Sequence, residues 1–376
     1  MHAVALLILS LVPAEPIRER EAPKDTSWVG KTVYVRANAV RLDPALEPNE
    51  QAVDAKDGIF SNMLAYRVYV ERPNHVQVKT REGLIGWLRK IDVVLLDEAA
   101  AVFTEQIEKT PNDLSGYNRR AAVWRSKGEL DAAIKDASEA IRISPQFTLY
   151  NNRALIWQSK KDYEKALADY NQAIAMSPQF ALVYANRATL WQAMKEYDKA
   201  IEDATKAIQF QPKFPNAYRA RGVAFHSKKA YDQAIADFDK VLEVDPKSSQ
   251  ALTDRAKAYA AKKEHAKALD DFNSALKSDP TIANWAAETA LWLASCNEPK
   301  YRDGTRALAL AEQARKLERT NAFVLQALAA AHAELGQFAD AIRWQENAML
   351  DPQLRDNAEA RRRLELYRKN IPYRQE

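Results

Sequence analysis

The chain has one cysteine, nine glycines and five histidines in 376 residues, and its 55 basic and 51 acidic side chains leave a formal charge of only +4. Each shortage excludes something. A single Cys296 cannot form an internal disulfide, and it lies far from the amino-terminal position that a bacterial lipoprotein needs for its lipid-bearing cysteine. Its place in an apolar helix end reads as a buried structural thiol rather than a nucleophile. Glycine-rich phosphate loops and nucleophile elbows are missing. His2, His75, His226, His265 and His332 are scattered, without the close His, Cys or carboxylate spacing of a metal site. A balanced charge gives no electrostatic footprint for nucleic acid. The expectation is a non-catalytic chain without cofactor or metal and without a nucleic-acid partner.

Long apolar runs are also lacking. Ala3 to Val12 is the longest and is too short to span a bilayer. With Val12-Pro13-Ala14 behind it, it reads as a secretory signal peptide over residues 1–14, although its only basic features are His2 and the amino terminus. The expected mature chain is therefore exported, periplasmic or secreted, without a transmembrane segment. Residues 15–27, with Pro16 and Pro23 among charges, read as a linker.

What the chain has in plenty is repetition. Pro111, Pro145, Pro178, Pro212, Pro246 and Pro280 stand 34, 33, 34, 34 and 34 residues apart. Twelve before each of the last five is a small residue: Ala133, Ala166, Ala200, Ala234 and Ala268. Twelve earlier comes another, Ala121, Ala154, Ala188, Gly222 and Ala256, followed three on by Trp124, Trp157, Trp191, Phe225 and Tyr259. Two amphipathic helices crossing closely need this arrangement, small residues for approach and a large one to fill the gap beside them. Lys127-Gly128-Glu129-Leu130, Lys161-Asp162-Tyr163 and Lys195-Glu196-Tyr197 divide the hairpins, and each proline stops a second helix.

The plan resembles the tetratricopeptide repeat family, which implies a mainly α fold, a right-handed superhelix of helical hairpins. Five regular repeats begin near Leu114, Phe147, Ala181, Pro215 and Ser249, with Val241 departing from the usual alanine of the fourth. Two atypical units extend the array. One runs from about Asn284 to Ser295, is interrupted by residues 297–304 and resumes near Thr305; the next ends at Asp351-Pro352. The array thus spans 98–352, and 353–376 reads as a capping helix and tail whose run Arg361-Arg362-Arg363 is a solvated face.

Arg120, Arg153, Arg187, Arg221 and Arg255 each precede an acid by 16 residues, namely Asp136, Asp169, Asp203, Asp237 and Asp271. The offset predicts a ladder of ion pairs within hairpins rather than a basic stripe for a ligand. Such pairs contribute roughly 0 to 1 kcal/mol when exposed, and removing one partner of a buried pair costs about 3 to 5 kcal/mol.

In the family, positions 2, 5, 9 and 12 of the first helices face a ligand. The resemblance places Asn118, Arg125, Asn151, Gln158, Thr189, Gln192, Arg219, His226, Thr253 and Lys257 there, a polar groove with a basic bias in its later repeats, suited to an extended peptide or a carboxylate. Chaperone-binding members hold a carboxylate with lysine and asparagine at positions where this chain has Asn118 and Ala122, so that activity is not implied.

Residues 28–97 keep a different rhythm. Val33 and Val35, Val68 and Val70, Val76 and Val78 alternate as half-buried strands do. Gly83-Leu84-Ile85-Gly86-Trp87-Leu88 before Asp92-Val93-Val94 resembles the last strands of bacterial SH3-like domains, which implies a small β-barrel. That module with these repeats, Trp292-Leu293-Ala294-Ser295-Cys296 and Leu366-Tyr367-Arg368 is also similar to exported bacterial repeat proteins. The resemblance implies a leading function and two alternatives to it. The leading one is a protein-interaction scaffold of the envelope. The alternatives are peptidoglycan binding through Trp28, Tyr66, Tyr69 and Trp87, and service as an accessory subunit of an envelope enzyme.

Overall fold

A computed structural model describes residues 31–35, 66–79, 85–90, 93–278 and 283–375. The expected signal peptide, the linker and Trp28 lie outside the described residues.

Five short strands come first: β1 (Thr32–Val35), β2 (Tyr66–Glu71), β3 (His75–Lys79), β4 (Ile85–Arg89) and β5 (Val93–Leu95). They form one antiparallel sheet in the order β4-β3-β2-β1-β5, with Val76 opposite Leu88 and Val33 opposite Leu95. Among the described residues no ladder joins β4 to β5. Alternation sends Val33, Val68, Val76, Val78, Leu88 and Val93 into one apolar cluster. Tyr34 and Val94 point the other way, into a cluster with the helices that follow.

Helix α1 (Leu96–Lys109) continues directly from β5. Five hairpins follow: α2 (Leu114–Lys127) with α3 (Leu130–Ile143), α4 (Phe147–Ser159) with α5 (Tyr163–Met176), α6 (Ala181–Ala193) with α7 (Tyr197–Phe210), α8 (Pro215–Ser227) with α9 (Tyr231–Val244), and α10 (Ser249–Ala261) with α11 (His265–Ser278). Two more pairs are α12 (Ala283–Ser295) with α13 (Gly304–Leu317) and α14 (Ala322–Glu334) with α15 (Phe338–Ala348). The short α16 (Pro352–Arg355) and then α17 (Ala358–Arg368) are the last helices, and described chain continues to residue 375.

The recurring small residues sit at the helix crossings. Ala121, Ala133, Ala154, Ala166, Ala188, Ala200, Ala234, Ala256 and Ala268 are all buried. Gly222 shows why size is limited there, since a Cβ on it would lie 2.7 Å from the Phe238 ring. Val241, the larger residue of the fourth repeat, is itself buried.

Each hairpin turn closes by the same pair of backbone bonds. Asp162 N donates to Trp157 O at 3.0 Å and Lys161 N to Gln158 O at 3.0 Å, and the pattern recurs at Glu129 to Trp124, Glu196 to Trp191, Ala230 to Phe225 and Glu264 to Tyr259. This helix ending requires one residue in the left-handed region, where glycine is at ease and other residues are crowded. Gly128 supplies it in the first hairpin, but Lys161, Lys195, Lys229 and Lys263 occupy it in the next four, with φ between 62° and 65°.

The arginine ladder holds hairpins both internally and to one another. Arg120, Arg153, Arg187, Arg221 and Arg255 each give Nε and Nη2 to the two carboxylate oxygens of Asp136, Asp169, Asp203, Asp237 and Asp271, at 2.7 to 2.9 Å. The third nitrogen reaches back to the preceding second helix: Thr104, Ser138, Asn171, Thr205 and Asp239 accept from Nη1. Hydrogen bonding to the aspartates holds Arg120, Arg153, Arg221 and Arg255 above the ordinary guanidinium range. All five carboxylates are buried.

Two outcomes are expected. Arg153→Ala strands the buried Asp169 and should cost about 3 to 5 kcal/mol in urea unfolding, whereas Arg153→Met with Asp169→Leu should cost less than either single change. Lys161→Gly and Lys195→Gly should each stabilise by roughly 0.5 to 1 kcal/mol, because relief of the left-handed strain exceeds glycine's entropic cost; Gly128→Lys should do the reverse.

Candidate functional site

The first helices of four successive hairpins, α2, α4, α6 and α8, line a cleft of about 640 Å³. Its floor is apolar, from Leu155, Ile156, Leu182, Ala185 and Val223, and its walls carry amides. Asparagines connect across repeats. Asn152 Nδ2 donates to Asn118 Oδ1 at 3.5 Å, Asn151 Nδ2 to Asn152 Oδ1 at 3.4 Å, and Asn186 Nδ2 to Asn151 Oδ1 at 2.9 Å. Gln158 donates to Thr189 Oγ1 at 3.4 Å and accepts from the buried Tyr170 hydroxyl at 3.1 Å, and burial pushes that phenol's pKa up. Thr189 and Gln192 donate to the carbonyls of Asn186 and Ala220. An amide can donate and accept at once, so this wall matches a peptide main chain, which offers both in alternation.

Of the ten groove positions read from the sequence, six line this cleft, Asn118, Arg125, Asn151, Thr189, Gln192 and Arg219, while Gln158 does not line it and only donates to Thr189, which does. His226 and Lys257 line a second cleft of about 580 Å³, whose opposite wall is α17 and the segment after it. Thr253 is in neither. It is 2 % exposed and donates to the Ser249 carbonyl of its own helix, so the expectation that it faces a ligand is corrected.

The expected basic bias is corrected too. Arg219 Nε meets Asp254 Oδ2 at 2.7 Å, and Lys257 Nζ meets Glu288 Oε1 at 2.9 Å. Both acids come from the first helix of the next unit, so each cation is answered across a repeat boundary. Asparagines Asn152 and Asn186, one place after position 5, were missed, and so was Asn216, which stands at position 2 of the fourth repeat itself; a search one residue either side of position 5 finds the first two.

Other expectations change in detail. Trp87 is buried, with the Arg72 guanidinium 4.6 Å from its ring centre, while the side chains of Tyr66 and Tyr69 lie outside the described residues. No aromatic sugar-binding platform is therefore assembled among the described residues. Cys296 is buried with Sγ 3.8 Å from His265 Nδ1, and burial pushes its thiol pKa up, away from the thiolate. Among the described residues no cluster of three His, Cys, Asp or Glu could hold a metal, and no helix is long and apolar enough to cross a membrane.

Comparison with known proteins agrees with the hairpins. Family models of the tetratricopeptide repeat match residues 148–180, 186–242 and 230–281, so the chain carries tetratricopeptide repeats. Over 51 residues it is 39% identical to Hsp70-Hsp90 organizing protein 3 of Arabidopsis thaliana, a stretch covering 14% of this chain and 9% of that one. A solved tetratricopeptide repeat protein from Parabacteroides merdae is similar at 22% identity and a TM-score of 0.52, over 71% of this chain and 98% of its own. Yeast Tom70 is similar at 19% identity and a TM-score of 0.55, over 73% and 59%. These likenesses show a helical-repeat fold of the kind found in protein-interaction scaffolds, and they do not choose a ligand.

His226 supplies a local test of the groove's electrostatics. Burial, and then the Lys257 charge, hold its pKa below the ordinary value, opposed by Asp254. Its neutral form therefore supports folding above the unfolded value near ~6.5, and that support is lost as pH falls from there through the depressed folded value. Imidazole NMR titration should show Lys257→Gln raising the His226 pKa, but only part of the way, because burial remains.

Proposed function

We propose that this chain is a non-catalytic scaffold that binds an extended segment of a partner protein along the cleft of α2, α4, α6 and α8. The observation that carries this reading is the run of asparagines from Asn118 to Asn186, which crosses three repeats above an apolar floor. Main-chain recognition supplies affinity, and the floor between Leu155 and Val223 takes apolar side chains. A carboxylate is not the favoured anchor, because Arg219 is already matched by Asp254. The sheet, read as an SH3-like module, holds the first hairpin in place and gives a second surface for contact. We assign the scaffold to the bacterial envelope on the apolar run Ala3–Val12; recovery of unprocessed chain in the cytosol after fractionation would remove that part.

The test is selection from a displayed library of random peptides against the intact chain. Recovered peptides should bind with affinities that change less than about threefold between low and high salt, since screening acts on charge and not on amide pairing. Asn118→Ala with Asn152→Ala should weaken them about tenfold or more, in line with loss of two hydrogen bonds at ~1 kcal/mol each. Equal binding by the double variant would sink the amide reading, and collapse of binding in salt would point to charge instead.

A further inference from the structure

Helices α12 and α14 are unlike the other first helices. Ten of the thirteen residues in α12 and nine of those in α14 are buried, with almost no polar face left. A helix apolar all round needs cover on every side. On the concave side, where other repeats present their cleft, the cover is the chain's own segment from α17 onward.

The contacts are those of a docked peptide. After α17 the backbone turns at Asn370, with φ 59°, and runs back across the array. Gln375 N donates to Ser295 O at 2.8 Å, and Arg374 Nη1 donates to Ala294 O at 3.2 Å, so the segment takes up two carbonyls at the end of α12. Arg374 also pairs with Glu334 at the end of α14, at 2.6 Å. Tyr373 is 9 % exposed under the Arg363 guanidinium, which lies 4.5 Å from the ring centre and donates to Gln326 on α14. Arg363 is buried, so the solvated arginine face expected of the run Arg361-Arg362-Arg363 holds for Arg361 and Arg362, not for it. The fit is incomplete. The Tyr367 hydroxyl and Gln345 Oε1 are buried without a protein partner, and a buried polar group left unpaired is unfavourable. Beside the segment the second cleft stays open, bounded by Lys257, Glu288 and Trp292 on one side and Arg362 on the other.

We propose that residues 370–375 are a built-in ligand of the array's concave face, a strap that opens to expose a site for an extended segment carrying an aromatic residue followed by arginine. The aromatic replaces Tyr373 and the arginine pairs with Glu334. Strap opening does not depend on what the first cleft binds, so it stands or falls separately from the scaffold reading.

Cys296, the chain's only cysteine, is buried, lines the second cleft together with Gln375 and follows Ser295, whose carbonyl Gln375 holds, so it reports on the strap. In the full chain a small thiol reagent such as dithionitrobenzoate should label it slowly. Arg374→Glu and Tyr373→Ala should each speed labelling about tenfold or more, equivalent to ~1.4 kcal/mol, with helix content and the urea midpoint of the array unchanged; Arg374→Lys should stay near the parent. A synthetic peptide of residues 369–375 added to the Arg374→Glu chain should slow labelling again, and the same peptide with glutamate for arginine should not. The proposal is overturned if the variants label at the parent rate. It is equally overturned if labelling has the urea dependence of global unfolding, which would make the strap an integral part of the fold, or if the peptide gives no protection.

Discussion

The structure depends on a guanidinium that faces two carboxylate oxygens. In each regular repeat the arginine of the first helix grips the buried aspartate of the second with two nitrogens and, with a third, a polar side chain of the second helix before it. A buried charge is tolerated only when its geometry is satisfied, so the contact ties the angle inside a hairpin to the distance between hairpins. Alanine crossings permit close approach without fixing its register. The three-way arginine contact fixes it, which gives a polar reason for a regular stack that apolar packing alone leaves loose.

The same economy shapes the groove. Arg219 and Lys257 look like free cations when a single repeat is inspected, and they are answered by Asp254 and Glu288 from the next one. The exposed lysines at the hairpin turns follow the rule as well, with Lys160, Lys228 and Lys262 meeting Asp131, Asp198 and Asp232 of the preceding repeat. Charges that cancel within the array exert little pull at a distance, which leaves shape and short-range amides as what the cleft presents.

Much of the fold was legible because the repeat prints it many times. The starts read near Leu114, Phe147, Ala181, Pro215 and Ser249 are where α2, α4, α6, α8 and α10 begin. Helix α1 was not read, although Pro111 is in phase with the others. Ala99, twelve residues before it, is fully buried, as the matching alanines are, so α1 is a second helix without its first. Its missing partner is replaced by β1 and β5, which no repeat pattern announces. The groove was less legible for a related cause. Position rules name the helix face and are blind to neighbours about 31 to 37 residues away, where Asp254, Glu288 and the Arg363 partner Gln326 stand. Thr253 fell on the expected face by count and was turned inward by packing.

An open helical stack has two apolar ends, and this chain closes them by different means. At the first, Tyr34 and Val94 of the sheet pack with Phe103, Ala122 and Val123, and the Tyr34 hydroxyl donates to Ala122 O at 3.1 Å, so the module is joined to the array by its core rather than held on a tether. At the other, α17 packs on α15 with Leu364 and Tyr367 buried, and the chain then doubles back to α12 and α14. The stretch left between them is the amide cleft over α2 to α8. There the first helices keep a polar face, whereas α12 and α14 have given theirs up. A concave face that is polar where it is open and apolar where it is covered has been divided by the sequence itself. The division sets an amide-lined cleft in the first part against an apolar second part on which the chain's own segment rests.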